Sequence, residues 1–463
     1  MQRLSTGNVR LDEVLDGGLV SDAITLVVGA PGTGKTILAE QCLFTNATAE
    51  RPGLYLSTVS EPFGKLLRFG QSLEFFDTAQ IGRSVFYDDL GDAVHDGGLA
   101  GALERTDALM KAHRPGIVVI DSFKALRSFA GDEAEYRRFL HVLAGRLTAL
   151  AVSSLWVGEY EPSEATDTAE FAVADGVIGL ENRRTAERST RYLSVRKLRG
   201  SDFRSGDHVY RITAGGLVVF PRLADVRDTT AYEAAGERVS TGIAALDETL
   251  EDGYWSGSTT LIAGPSGVGK TLMGLHFVFA GAALNEPGIF LTLQESRTQL
   301  ARVVGRFGWT FDDANVTIMD RSPVDVYIDE LVYELLDRIR EVGARRVVVD
   351  SLNDLVVAAS DAMRVREFLY SLVQRCARLG VSVMFTHETM ELFRISRLGE
   401  IGMSHVADNV VLLQHVQDGS EMRRALSVLK SRGSMHSAVI SEFKISVDGI
   451  TLGEPINLRK IQG

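Results

Sequence analysis

The chain of 463 residues is short of several things, and each shortage narrows what it can do. Cysteine occurs twice, at Cys42 and Cys376. Each sits in an apolar helical pattern in a different half of the chain, so both are expected to be buried, reduced thiols rather than a disulfide or a metal site. Positive charge is outnumbered: 49 lysines and arginines face 61 aspartates and glutamates, a formal net charge of −12. A surface built mainly for nucleic acid needs the opposite balance, because it must neutralise phosphates, although a local basic groove stays compatible. No apolar run approaches the ~20 residues of a membrane span. No basic, apolar targeting segment precedes the first motif either, and the expectation is a cytoplasmic protein with no membrane partner. What is left is ordinary globular composition, 45% apolar and 24% charged.

The chain says one thing twice. Gly29-Ala30-Pro31-Gly32-Thr33-Gly34-Lys35-Thr36 and Gly264-Pro265-Ser266-Gly267-Val268-Gly269-Lys270-Thr271 both carry the spacing of a phosphate-binding loop. Residues 5–36 align without a gap on 240–271, with roughly half the positions identical. Each loop follows an apolar run and precedes a helical pattern, a context that a chance Gly-rich turn lacks. The duplication predicts two domains of about 230 residues each, placed at 1–229 and 230–463, with the polar, mixed-charge stretch 221–236 as the linker.

Within each half, apolar β-type runs alternate with helical stretches. The runs are 24–28, 54–56, 117–120, 152–157 and 177–180, repeated in the same order as 260–263, 289–293, 347–349, 381–385 and 410–413. This pattern predicts an α/β fold, two tandem P-loop NTPase domains, each a mainly parallel sheet flanked by helices. After the last run both halves turn to short alternating segments (192–196, 209–213, 217–220; 425–429, 438–445), the signature of antiparallel hairpins added to a sheet edge.

The chemistry follows from the loops. Gly29, Gly32, Thr33 and Gly34, with Gly264, Gly267, Val268 and Gly269, turn backbone N–H groups toward phosphates at a helix N-terminus. Lys35 and Lys270 are placed to reach β/γ-phosphates, and Thr36 and Thr271 to hold Mg²⁺. Asp121 and Asp350, each closing an apolar run, read as the acids that anchor the metal's water shell; an Asp there can also merely cap the next helix. Glu61 and Glu295 end the intervening strand and are the candidates to orient or deprotonate an attacking water, against the plainer reading of a Glu at a helix start. Glu159 and Glu388, closing the strand after the acidic one, suit either γ-phosphate sensing or a structural salt bridge.

The last constellation is Lys197-Leu198-Arg199-Gly200 and Lys430-Ser431-Arg432-Gly433. On a hairpin strand Lys and Arg two apart share a side, so both can reach one phosphate. Their distance along the chain from the loop points to a neighbouring subunit's site, with a solvated basic turn as the alternative.

On these residues the chain resembles the KaiC family within the RecA-like ATPases, over nearly its whole length. The Thr-Gly-x-x-x-Leu-Asp lead-ins, the two loops, Glu61 and Glu295, the two Asp-Ser ends, Asp175 and Asp408, and both Lys-x-Arg-Gly turns carry the resemblance. It implies a homo-hexameric double ring with ATP and Mg²⁺ bound between adjacent subunits and the Lys-x-Arg pairs acting on the neighbour's nucleotide. It further implies a first ring that is mainly an ATPase and a second that acts as a kinase on its own hydroxyls. Preference for ATP over GTP and the ring size rest on the resemblance alone. In similar systems the downstream partner is usually a response regulator or a histidine kinase.

Three departures from the clock members stand out. The family's two consecutive acids are Ser60-Glu61 and Gln294-Glu295, one carboxylate in each half. Where clock members carry an adjacent Ser-Thr pair, this chain reads Met403-Ser404-His405, leaving Ser404 as the candidate phosphoacceptor, with Phe171 at the first-half equivalent. The chain stops soon after 456–459, without the long tail to which the clock members' regulator docks. The expectation is an ATP-hydrolysing ring protein in signalling or regulation, with Ser/Thr autokinase activity confined to Ser404 and no full oscillator.

Two other classes compete. One is a DNA-associated motor or recombinase accessory, since RecA-like cores also do that work. Its support is the basic run Arg183, Arg184, Arg188, Arg191, Arg196, Lys197 and Arg199, which lacks the aromatic interleaving of single-strand binders. The other is a scaffold whose nucleotide simply cements the assembly by mass action.

Overall fold

A computed structural model describes residues 2–58, 63–160, 164, 168–185, 188–223, 236–312, 315–323, 327–358, 362–389, 403–418, 420–437 and 439–456. The chain divides into two compact units, Met1–Val226 and Arg227–Gly463. Most of the stretch expected as the linker, including the position where the halves were divided, lies outside the described residues.

In the first unit the strand Ile24–Gly29 is buried at every position. Parallel strands flank it on both sides, and its side chains alternate between two cores. Val27 packs with Val119 and Leu155 beneath one face, Leu26 and Val28 with Val118 and Ile120 beneath the other. That is why it reads as an unbroken apolar run rather than an alternating one.

The nine-stranded sheet runs, edge to edge, Gly216–Phe220, His208–Thr213, Arg188–Leu198, Gly176–Thr185, Ile24–Gly29, Ser153–Gly158, Ile117–Asp121, Gly53–Ser57, Val85–Asp89. From Gly176–Thr185 to Val85–Asp89 all neighbours are parallel; the strands on the other side are antiparallel additions. The second unit repeats this order: Gly449–Pro455, Ser441–Ser446, Glu421–Ser431, Asn409–Asp418, Thr259–Gly264, Ser382–Glu388, Arg346–Asp350, Gly288–Thr292, Val316–Asp320. Both are RecA-like P-loop NTPase domains in tandem, each with an antiparallel extension.

The structure adds elements that the pattern does not announce. Val85–Asp89 and Val316–Asp320 extend the parallel side by one strand each, and as edge strands they are only partly buried. Arg3–Leu4 pairs with Leu19–Val20, and Arg238–Val239 with Tyr254–Trp255. These ribbons carry the lead-in. Asp12 accepts from Ser5 Oγ (2.6 Å), Thr6 N (2.7 Å) and Thr6 Oγ1 (2.7 Å); Asp247 accepts from Ser240 Oγ (2.5 Å) and Thr241 N (2.7 Å). The lead-in is thus a structural staple, joined to the last turn of the helix Lys35–Asn46 by Asn46 Nδ2, which donates to Ser5 O (2.7 Å). No helix among the described residues is long and apolar enough to cross a membrane. Cys42 and Cys376 are both free and buried, and burial pushes the Cys376 thiol up to about 12.

Candidate active site

Each loop joins a central strand to a helix, Lys35–Asn46 or Lys270–Ala282. Gly34 and Gly269 cap those helices with φ of 87° and 118°, where only glycine is unstrained. Among the described residues no side-chain cap bonds the first turn, so its N–H groups stay available to an anion. At Gly32 and Gly267 a Cβ would meet nothing within 4 Å among the described residues, so the loop is open on that side. Thr33 and Val268 are buried; Thr33 Oγ1 donates to Ala30 O (2.8 Å) and Tyr210 Oη to Thr33 O (2.6 Å), so what these positions offer a ligand is backbone.

Lys35 Nζ donates to Ala30 O (2.9 Å), and Lys270 Nζ to Gly264 O (2.9 Å) and Pro265 O (2.8 Å). Burial lowers both pKa values, against the pull of Glu159 and Asp121 on Lys35 and of Glu388 and Asp350 on Lys270. A desolvated ammonium resting on carbonyls is completed by a polyphosphate, and the residues present fit one. In the first unit the loop opens on a cleft of about 990 Å³ lined by Lys35, Thr36, Tyr55, Asp121 and Glu159, within the range of small-molecule sites.

The acids at the strand ends lie against the loop threonines. Thr36 Oγ1 donates to Asp121 Oδ2 and Thr271 Oγ1 to Asp350 Oδ2, both at 2.7 Å. These pairs would hold a metal ion, an oxygen donor set suited to Mg²⁺. The second partner differs between units. Tyr55, from one neighbouring strand, donates to Asp121 Oδ2 at 2.9 Å; Thr386, from the other neighbouring strand, donates to Asp350 Oδ1. Burial raises the Asp350 pKa, and the hydrogen bonds of Thr386 and Thr271 oppose it. Glu40 and Tyr87, joined at 3.1 Å, extend the polar set of the first unit, where Leu275 and Ile318 stand in the second. The peptides Asp121–Ser122 and Asp350–Ser351 are both cis.

Glu61 lies outside the described residues. Glu295 is half-buried in a turn closed by Glu295 N to Thr292 Oγ1 and Thr292 Oγ1 to Glu295 O, both 3.0 Å; burial and then Asp350 raise its pKa. Glu159 Oε1 stands 3.9 Å from Lys35 Nζ, a loose ion pair within the cleft. Lys124 Nζ holds Glu159 O (2.7 Å), and Asn353 does the same for Glu388 O (3.2 Å) while also contacting His387 Nδ1 (2.9 Å). Neither clamp is legible from a motif; each stands three residues after its Asp.

The Lys-x-Arg turns are not beside their own loops. Lys197 pairs with Val177, which pairs with Leu26, three residues before Gly29; Lys430, Val410 and Leu261 repeat the relation. At ~3.3 Å per residue the lysines sit about 10 Å back toward the far end of the sheet. Lys197 Nζ donates to Phe171 O (2.9 Å) and Lys430 Nζ to Ala407 O (2.6 Å). Arg199 pairs with Asp175 (3.3 Å) and Arg432 with Asp408 (3.6 Å), while Asp175 and Asp408 accept from Ile24 N and Thr259 N at the start of the loop-bearing strand. Ser404 lies in the short helix Met403–Val406, its side chain outside the described part. Within the basic run, Arg183 is neutralised by Glu181 (2.6 Å) and Asp207 (2.5 Å).

Comparison with known proteins agrees with this geometry. A family model described as "ATPase: KaiC" matches residues 4–224 and again 239–456. The chain is 30% identical to the circadian clock protein KaiC3 of Synechocystis sp., over 98% of this chain and 92% of that one. It is 29% identical to the circadian clock oscillator protein KaiC 1 of the same organism (97% and 88%) and to the circadian clock oscillator protein KaiC of Synechococcus elongatus (95% and 86%). With two copies of the family model spanning nearly all of its length, the chain belongs to the KaiC family of ATPases.

Proposed function

We propose that this protein is an Mg²⁺-dependent ATPase that works as a homo-hexameric double ring, each nucleotide held by one subunit's loop and touched by the next subunit's Lys-x-Arg turn. The observation that carries this reading is the placement of Lys197 and Lys430 about 10 Å back along the sheet from their own loops. Head-to-tail contacts close rings, and a cation supplied in trans is a recurrent device of phosphoryl transfer. Lys35 and Lys270 hold the β/γ-phosphates, Thr36 with Asp121 and Thr271 with Asp350 hold Mg²⁺, which neutralises developing charge, and Glu61 and Glu295 take the proton of the attacking water. The half-burial of Glu295, which raises its pKa, suits it to accept a proton. We place the output in signalling or regulation, as the clock names of the relatives suggest, with a response regulator or histidine kinase as the class of partner.

Mixing tests it. Lys35→Ala,Lys270→Ala chains lack a grip on nucleotide but keep both turns; Lys197→Ala,Arg199→Ala,Lys430→Ala,Arg432→Ala chains have the reverse. Each alone is expected to lose about 10²-fold or more of its phosphate release, and co-assembled mixtures to recover a measurable fraction. Mixtures as inactive as their parts count against the shared site. Glu61→Gln,Glu295→Gln is expected to slow release about 10²–10⁴-fold; release unchanged from wild type would favour a nucleotide-cemented scaffold.

A second reading, autophosphorylation of Ser404, is favoured by one contact: Arg432 Nη2 donates to His405 O (3.1 Å), so the second unit's turn rests on the helix that carries Ser404. Labelled phosphate from ATP that is lost in Ser404→Ala supports it; a protein that never labels removes it.

A further inference from the structure

The helix Ala169–Val173 ends in the carbonyls that carry the first unit's Lys-x-Arg turn. Phe171 O accepts from Lys197 Nζ (2.9 Å), and Ala172 O from Lys197 Nζ (3.4 Å) and Arg199 Nη2 (3.3 Å). A helix of five residues does not hold itself together. Glu170 ties it down: it is 0% exposed, and its Oε1 accepts from Tyr136 Oη (2.8 Å) and Tyr160 Oη (2.9 Å). Its other oxygen lies 4.0 Å from Arg127 Nη1, and that guanidinium stands 5.5 Å from the centre of the Tyr136 ring. Burial and the Glu170 charge push both phenols upward, so they remain donors.

The same carboxylate reaches back to the loop. Tyr160 follows Glu159, whose Oε1 is 3.9 Å from Lys35 Nζ, and Lys124 Nζ, bound to Glu159 O, lies 5.0 Å from the Tyr160 ring. A buried carboxylate is costly unless bonded, and the RecA-like core does not require one here. The second unit builds the corresponding helix and turn with Val365, Thr389 and Met403 at the places of Tyr136, Tyr160 and Glu170.

We propose that Glu170 is a positioning residue of the first unit: through Ala169–Val173 it sets Lys197 and Arg199 for the neighbour's polyphosphate, and through Tyr160 it ties that setting to the strand end facing its own loop. This rests on the shared-site reading.

The test is a double-mutant cycle in chains carrying Lys270→Ala, so that phosphate release reports the first unit. Glu170→Leu is expected to lower kcat about tenfold with KM for ATP nearly unchanged, because the loop is intact. Glu170→Gln, which keeps an acceptor for both phenols, is expected to restore most of that loss. With Lys197→Ala and Arg199→Ala both present, Glu170→Leu should cost nothing further. Full additivity, or a rise in KM that accounts for the loss, overturns the inference while leaving the shared site standing. Lys197→Ala,Arg199→Ala without effect overturns both. If Glu170→Leu does not fold, Tyr160→Phe replaces it, with a smaller kcat loss and the same non-additivity expected, and additivity again overturning the inference.

Discussion

Tyr55 and Thr386 hold equivalent aspartates from opposite sides, and each gives a prediction at the scale of one hydroxyl. A hydrogen bond to a charged group contributes about 1.5–3 kcal/mol, so losing it should raise the Mg²⁺ needed for half-maximal turnover about tenfold in that unit alone. Tyr55→Phe read in a Lys270→Ala chain, and Thr386→Val read in a Lys35→Ala chain, are the variants; Mg²⁺ titration of phosphate release is the measurement. A shift in the unit that was not changed, or in neither, removes the role. The aspartates themselves stand out in the sequence because each closes the third apolar run of its half. Their partners do not, because they come from strands whose adjacency is a property of the sheet order. Glu170 is hidden for the same reason: only folding brings Tyr136 and Tyr160 to it.

The helix Lys270–Ala282 shows how one scaffold diverges between the units. It buries His276, 6% exposed, edge-on to Trp309 at 4.8 Å, with Nε2 lacking a hydrogen-bond partner among the described residues. At the aligned place Gln41 accepts from Leu217 N (2.9 Å). Burial holds the His276 pKa below its ordinary 6.5. Below that ordinary value the unfolded chain binds a proton that the folded one resists, so this contribution to stability is intact above pH ~6.5 and is lost as the pH falls through the folded value. His387 is lowered as well, by burial and by Lys270, and adds a slope of the same sign. Amide exchange of the second unit should therefore quicken between pH 7.5 and about 5.5, after correction for intrinsic rates, and His276→Gln should flatten part of the change. An unaltered slope in that variant would assign the whole effect elsewhere. The main strands and the added hairpins are legible as elements because burial on both faces or on one writes a different period into the sequence. Val85–Asp89 and Val316–Asp320 escape because edge strands bury too little to mark themselves.

At the scale of the whole molecule the duplication is the plainest signal, two aligned loops with two aligned lead-ins, and the folded units repeat one strand order. Within each unit the sequence shows the separation of loop and turn only as distance along the chain, and the fold turns it into distance along the sheet. Lys197 and Arg199 lie toward the far end of the sheet from the loop of their own unit, resting on Phe171 and Ala172. If the site is shared between subunits as proposed, a solitary chain grips substrate without the cation that completes the reaction. Release per chain is therefore expected to climb steeply with protein concentration, which stopped-flow dilution from an assembled stock would record; a rate per chain that is flat across dissociation would count against it. On that account the amount of protein in the cell would itself be an input: synthesis and degradation would set the activity, with no added ligand and no modification needed.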